Sequence, residues 1–411
     1  MATLEFENFK FLKKENIVEV EFAKYFFFEI DYSNLTSIDS QVEIEEKKLI
    51  FPNTSEKSAD NKINKIIDIG LKNLKSKISG KNVLYIDEYS EIPLIGSSEF
   101  GIVDRNTNII ELKPITGCNL NCIYCSVNEG NNDNTIDILV DPFYLAKIAS
   151  QLASQKKHPV EFNINPQGEP LLYNFLEELI IQLKQIPNCK VISINTNGTL
   201  LSKKKIDSLI SAGLTRINLS LNTLDEETAN KMSGKAYPLK HVLEMIKYAQ
   251  EKNLPVLIAP VIVPTFNDSN IKDIEPLIKL ATSLKSEFPK IGFQKFLCNK
   301  GGRNPVDEIS FEEFFENLQP FEEKYKITLT PKSNYNPFEI YEDKTLEKPF
   351  EKNQTIKVEI IGSSRHQGET LAKSQNRIVT IRGAKKIKGS LNVKLVRDKH
   401  NIFIGIPLNL T

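Results

Sequence analysis

The pattern of this chain predicts an α/β fold, in which a partial (β/α)6 barrel follows an N-terminal α+β domain and precedes a small β-barrel. Three observations carry that prediction. From Ile109, apolar strand-like runs at 109–115, 160–165, 190–195, 215–220, 256–263 and 291–296 alternate with amphipathic helical patterns near 142–157, 174–186, 203–212, 239–252 and 271–287. Strands separated by helices read as βαβ units around a parallel sheet. Six such units rather than eight leave the barrel incomplete, with its chemistry at the C-terminal strand ends. Before Ile109 the chain mixes β-rich runs (Ile17–Phe22, Phe26–Ile30, Val83–Ile86) with a lysine-spiked helical stretch near 61–78. After Thr355, short strands broken by turns (Lys357–Ile361, Ile378–Ile381, Asn392–Val396, Ile402–Ile406) fit a small barrel. The boundaries expected are 1–107, 108–305, an acidic, Pro-containing helix plus linker over 306–351, and 352–411.

Composition narrows the class. The chain has 411 residues, 40% hydrophobic and 26% charged, as in a folded protein of two or three domains rather than a disordered one. Its acidic start lacks the basic and apolar stretches of a signal peptide, and no window reaches the ~18–20 apolar residues of a membrane helix. A cytoplasmic protein with no membrane partner is expected. Net charge is zero overall, but residues 352–411 hold 12 Lys plus Arg against 3 Asp plus Glu, a net of +9 on a body of −9. A basic tail on an acidic body points to a polyanion partner.

Five cysteines do not make a disulfide framework in a chain of this size, and three of them fall close together, as ligands do in a reducing compartment. They lie in Pro114-Ile-Thr-Gly-Cys118-Asn-Leu-Asn-Cys122-Ile-Tyr-Cys125, directly after the first barrel strand. The spacing is C-x3-C-x2-C. Three thiolates on a four-iron cube leave one iron without a protein ligand, open to a small molecule. A zinc site or unrelated free cysteines are the alternatives; a structural zinc site needs four ligands, and the nearest histidine is His158.

With that loop the chain resembles the radical SAM superfamily, in particular its molybdopterin-synthesis branch and archaeal-type iron–sulfur oxidoreductases. Tyr124 stands where the family commonly has an aromatic residue before the third cysteine. The resemblance implies a [4Fe–4S] cluster held by Cys118, Cys122 and Cys125. Its open iron chelates S-adenosylmethionine (SAM), and one electron, from a donor such as ferredoxin or flavodoxin, releases a 5′-deoxyadenosyl radical. Asn165-Pro-Gln-Gly168-Glu169-Pro resembles the family's Gly-Gly-Glu-Pro motif, with Gln167 in place of the first glycine; Gly168 and Glu169 are then expected at the SAM amino group. Thr196-Asn197-Gly198 resembles the end of the third strand, Ser220 and Asn222 the SAM-contacting positions of the fourth, and Val261–Asp268 an adenine-contacting segment. The resemblance covers about residues 108–300.

Residues 355–411 resemble a TRAM domain, a small RNA-binding β-barrel, through Ser364-Arg365-His366, Arg382-Gly383 and Val393–His400. That implies tRNA or rRNA as partner, through phosphate contacts. TRAM-bearing relatives that insert sulfur need a second three-cysteine cluster in an N-terminal domain, and residues 1–107 contain no cysteine; sulfur insertion is disfavoured. Cys298, just past the sixth strand, is read first as an incidental thiol, with a hydrogen donor or methyl carrier as the catalytic alternative. Lys300 and Arg303 beside Gly301-Gly302 are candidate phosphate contacts, and Cys189 is given no role. A peptide or small-molecule substrate with a structural tail stands as the alternative to RNA, and a redox-sensing RNA-binding protein as a third.

Overall fold

The computed structural model describes residues 1–128, 136–333, 335–384 and 388–408, with backbone alone at Ile271. Residues 385–387 and 409–411 of the basic tail lie outside the described residues.

The N-terminal unit is built from short antiparallel strands. Phe9–Lys14, Ile17–Phe22, Phe26–Asp31 and Lys75–Ser76 form one sheet, and Ala2–Glu5, Lys48–Phe51 and Glu43–Glu45 a second. Alternation drives the first: Val18, Val20 and Phe22 are buried while Ile17, Glu19 and Glu21 are less so. Its helix spans Glu56–Leu71, earlier than the 61–78 pattern indicates. Ile63 and Ile67 are buried, and Gly70 lies so close to the Phe28 ring that a Cβ would sit 2.2 Å from it.

The central barrel has its parallel strands where the sequence places them: β1 (Ile109–Lys113), β2 (Val160–Ile164), β3 (Cys189–Thr196), β4 (Arg216–Leu219) and β5 (Val256–Ile258), hydrogen-bonded in that order. Gly101–Asp104 adds an antiparallel edge to β1. The run 256–263 does not stay one strand. Pro260 has no N–H to donate, so β5 stops and pairing resumes at Val261–Ile262. The sixth strand, expected over 291–296, shrinks to β6 (Gln294–Lys295) beside Val261–Ile262, plus one bridge between Ile258 and Ile291.

Helices α1 (Pro142–Ala153), α2 (Leu176–Lys184), α3 (Lys203–Ala212), α4 (Glu226–Ser233), α5 (Leu239–Glu251) and α6 (Glu275–Ser283) follow the strands. Their buried faces meet Ile110, Leu112, Phe162, Ile164, Ile192, Ile194 and Ile217 in one continuous core. The strand Asp137–Val140 pairs in parallel with Val83–Ile86, which joins the N-terminal unit to the barrel.

Residues 306–351 are more than a linker. Helix α7 (Phe311–Tyr325) packs Phe314, Leu318 and Phe321 into the core. The chain then crosses the N-terminal ends of β1 and β2: Asn108 exchanges hydrogen bonds with Tyr341, and Asp343 accepts from the N–H groups of Lys157 and His158.

The tail is a closed barrel of five strands, β7 (Thr355–Ser363), β8 (Glu369–Ser374), β9 (Arg377–Arg382), β10 (Ser390–Arg397) and β11 (Ile404–Pro407). Strand β8 has no counterpart among the runs picked out in the sequence. The barrel is filled by Ile356, Val358, Ala372, Val379, Ile381, Val393, Leu395 and Phe403.

Candidate active site

A cavity of about 530 Å³ opens at the C-terminal ends of the parallel strands, a usual size for a small-molecule site. It is lined by Cys118, Cys122, Cys125 and Tyr124 from the loop after β1 and by Gly168 and Glu169 after β2. Asn197 after β3, with Ser220 and Asn222 after β4, completes the set. The three cysteines, Tyr124, Gly168, Glu169, Asn197, Ser220 and Asn222 therefore meet in one place, whereas Lys300, Arg303 and Cys298 are outside its lining. That cysteine is exposed, turns its thiol toward the Val306 carbonyl at 3.6 Å, and is absent from the cavity lining.

The cysteine loop is held from several sides. The Gly117 carbonyl lies where a Cβ on Gly168 would be, 2.2 Å away. Thr116-Gly117 and Gln167-Gly168 pair as a short parallel ladder. The glycine at 168 is thus required by a backbone neighbour. From the other side, Asn121 and Ile123 donate to the Ser233 and Met232 carbonyls at the end of α4. Gly234, with φ +66, lets that end touch the loop, since a Cβ there would meet the Asn121 carbonyl at 2.1 Å. Arg303 donates to the Cys122 carbonyl (2.6 Å) and to Asn128 (2.7 Å). The pair Gly302-Arg303 therefore braces the loop, and the phosphate role expected of Arg303 gives way to that one.

Glu169 is buried with both carboxylate oxygens held: Oε1 accepts from Thr196 Oγ1 (2.6 Å) and the Leu171 N–H (3.1 Å), and Oε2 from the Asn197 N–H (2.9 Å). Burial pushes its carboxyl up to about 7, against the pull of these donors. Asn197 also reaches Asn119 Oδ1 (3.0 Å) and the Cys118 sulfur (3.9 Å). Asn222 ties the loop to the end of β5: its Nδ2 donates to Tyr124 Oη at 2.5 Å and its Oδ1 accepts from Val261 N–H. Tyr124 is thereby a fixed wall. The sequence reading missed Tyr237, which lines the cavity and donates to the Asn197 carbonyl at 2.8 Å.

The cavity floor is polar. Arg105, Glu111, Lys113, Asn165, Asn195 and Lys295 line it. Lys113 donates to the Asn165 carbonyl at 2.8 Å, and Arg105 pairs with Glu111. Below them Asn163, Ser193, Asn195, Asn218 and the buried Arg216–Glu161 pair form one hydrogen-bonded net.

Residues 112–278 match the family model of the radical SAM superfamily. An uncharacterized protein of Methanocaldococcus jannaschii is 34% identical, the match covering 81% of this chain and 82% of that protein. The chain belongs to the radical SAM superfamily. A GTP 3′,8-cyclase of Syntrophomonas wolfei is 34% identical over 43% of this chain and 53% of its own length; the chain spans only about half of that relative. The crystal structure of Streptococcus suis SuiB bound to S-adenosylmethionine has a TM-score of 0.42 at 15% identity, covering 79% of this chain and 72% of that one, a likeness too weak to bear on function.

The superfamily's cofactors are a [4Fe–4S] cluster and S-adenosylmethionine, and the donor set accommodates them. Burial pushes the Cys118 thiol up to about 12 and Cys122 up to about 11, so a cluster bound here would have to displace their protons. Among the described residues no three His, Cys, Asp or Glu side chains gather as ligands of a single metal ion. A cubane attaches its thiolates to different irons and does not require them to meet.

Proposed function

We propose that Cys118, Cys122 and Cys125 hold the cluster of this radical SAM enzyme, and that the chain modifies tRNA or rRNA brought in by its basic C-terminal barrel. Bound there, the cluster and S-adenosylmethionine supply a 5′-deoxyadenosyl radical that abstracts hydrogen. Gly168, Glu169, Asn197 and Ser220 would hold S-adenosylmethionine there, the Glu169 carboxylate and the Gly168 backbone being suited to its amino group. Asn222 and Tyr124 hold the loop against the end of β5. An external one-electron donor of the ferredoxin or flavodoxin class reduces the cluster. The observation that carries the site reading is the single cavity uniting the three cysteines with Glu169, Asn197 and Ser220.

What supports an RNA substrate is the position and charge of the tail. Lys357, Arg382, Lys388, Lys394, Arg397 and Lys399 are exposed on it, a phosphate-contacting surface. Arg365 takes no part, because it is fully buried. A cavity floor with Arg105, Lys113 and Lys295 against Glu111 suits an anionic or strongly polar group. A small nucleotide is the second reading, favoured by the relatives named GTP 3′,8-cyclase. Placement in the cytoplasm goes with either.

The deciding test is mass spectrometry of nucleosides from tRNA and rRNA of cells with and without the gene. A nucleoside that disappears on deletion and returns with the intact chain, but not with Cys122→Ala, supports RNA modification. Identical nucleoside profiles in both RNA pools overturn the RNA substrate and leave the small nucleotide.

A further inference from the structure

We infer that the C-terminal barrel is fixed behind the cofactor site, and that Arg365 is its positioning residue, acting through Gln167, which lines that site, on the turn that carries the cluster cysteines. The inference rests on the cysteine loop being the cluster's seat and on nothing about the substrate.

The tail does not hang from a flexible tether. Segment 91–99, between the N-terminal unit and β1, is its seat: Ile378 N–H donates to the Ile95 carbonyl (2.8 Å), and Phe403 N–H to the Gly96 carbonyl (2.9 Å). Gly96, with φ +129, permits the contact, since a Cβ there would lie 2.2 Å from the Ile378 carbonyl oxygen. Leu371 and Ile378 belong to the main hydrophobic core of the body, not to the tail's own.

From this seat the β7–β8 turn carries Ser364 and Arg365 inward, both at 0% exposure. Ser364 Oγ donates to Glu99 Oε1 (2.8 Å), and the Arg365 N–H faces Glu99 Oε2 (3.4 Å). The guanidinium passes Glu99 and reaches Gln167, with Nη1 2.9 Å from Oε1 and 3.4 Å from the main-chain carbonyl. Gln167 pairs with Thr116 and its neighbour Gly168 with Gly117, one residue from Cys118. Burial works against the guanidinium's charge, while Glu99 and Cys125 favour it. Burying an arginine is costly, and a latch alone needs only Ser364 and Glu99. A fixed positive charge at Gln167, within electrostatic reach of Cys125, would favour the reduced state of a cluster held there, since that state carries one more electron. Gln167 stands where the resembling motif has glycine, and a glycine has no side chain for the guanidinium to meet.

The test uses the full chain, reconstituted with iron and sulfide, as wild type, Arg365→Gln, Arg365→Lys and Gln167→Gly. Iron content and visible absorption of the wild type come first; a colourless protein overturns the reading of the cysteines themselves. The midpoint potential is then measured without substrate, and limited proteolysis of the apo-protein checks that the tail stays seated. Arg365→Gln is expected to keep its iron and its protease resistance while the ratio of reduced to oxidised cluster at fixed poise falls about tenfold. That equals a shift of about 59 mV for a one-electron couple. Arg365→Lys recovers part of it, and Gln167→Gly, which leaves the tail's own sequence untouched, gives a smaller shift of the same sign. Wild-type potentials in both Arg365→Gln and Gln167→Gly overturn the inference. So does an Arg365→Lys variant as impaired as Arg365→Gln, or a Gln167→Gly potential equal to wild type should Arg365→Gln release the tail.

Discussion

Inside the parallel barrel the facing side chains are Glu111, Lys113, Asn163, Ser193, Asn195, Arg216 and Asn218. Inside the antiparallel barrel they are Ile356, Val358, Val379, Ile381, Val393, Leu395 and Phe403. An apolar filling is the ordinary way to stabilise a barrel, worth roughly 25 cal/mol per Å² of apolar surface removed from water. The parallel barrel forgoes it on its inner face and relies on the helix-facing side of the same strands, where Ile110, Leu112, Phe162, Ile194 and Ile217 lie. Its interior is thereby freed for a ligand. The antiparallel barrel is packed with side chains, so whatever it contributes must come from its surface and from the β7–β8 turn that enters the body.

The sharpest way to break this contrast is to remove the ligand's anchor. Cys122→Ala is expected to abolish the visible iron–sulfur absorption and all release of 5′-deoxyadenosine, while the apo-protein keeps its fold, because Cys122 is only partly buried. Absorption spectra and product chromatography check both halves.

Next comes Phe403→Ala in the tail. Phe403 is at 0% exposure and meets Phe350 edge-on, with ring centroids 5.4 Å apart. The loss is expected to be about 3–5 kcal/mol, enough to melt a barrel this small ahead of the body. Calorimetry is expected to show a separate lower transition, and SAM cleavage is expected to fall with it, since the tail braces Gln167.

How much of this was legible beforehand follows from the range of each interaction. Alternation and helix period act within a few residues, so β2 and Ile17–Phe22 lie where the pattern puts them. The cysteine spacing and the order of motifs at strand ends brought Cys118, Glu169, Asn197 and Ser220 to one cavity. Nothing local announces Arg365 at Gln167, 198 positions away, or Arg303 at the Cys122 carbonyl. Gly234 is readable as the end of α4, but its contact with Asn121 is not. The charge count saw a basic tail and had no means of separating the exposed Lys394 from the buried Arg365. The polar interior was hidden for a further reason: the inward positions alternate with strongly apolar ones, and the apolar runs dominate the reading.

A smaller effect is expected at the closed end of the parallel barrel. Asp343 accepts from the N–H groups of Lys157, His158 and Lys344 and from His158 Nδ1. Burial alone would raise its carboxyl; the backbone donors outweigh it and hold it at about 2. A depressed carboxyl contributes stability above its ordinary value near 3.8, and that contribution is lost as pH falls through about 2. Asp343→Asn is therefore expected to cost about 2 kcal/mol at pH 7, a drop in Tm of roughly 4 °C. The gap from wild type should close in acid. A gap that persists unchanged at pH 3 and below would trace the loss to packing.

The smallest change in stability is expected where the two barrels differ most. Lys113 is nearly buried on the cavity floor, and burial pulls its ammonium below the usual lysine range, against Glu111. Removing a buried charge returns its desolvation cost, while the lost bond to the Asn165 carbonyl is worth about 1 kcal/mol. Lys113→Met should therefore leave the melting temperature within a few degrees of wild type, in either direction. The same volume of side chain now presents an apolar surface to whatever the floor receives. SAM cleavage, proposed at the cysteine loop above this floor, is expected to continue, but uncoupled, with 5′-deoxyadenosine forming and no substrate consumed. A variant that cleaves SAM and still turns over its substrate at the wild-type rate would mean that the polar floor serves the barrel and not the ligand. A variant that melts several kcal/mol early would mean that the net from Glu111 to Arg216 carries the stability that a hydrophobic filling carries in the tail.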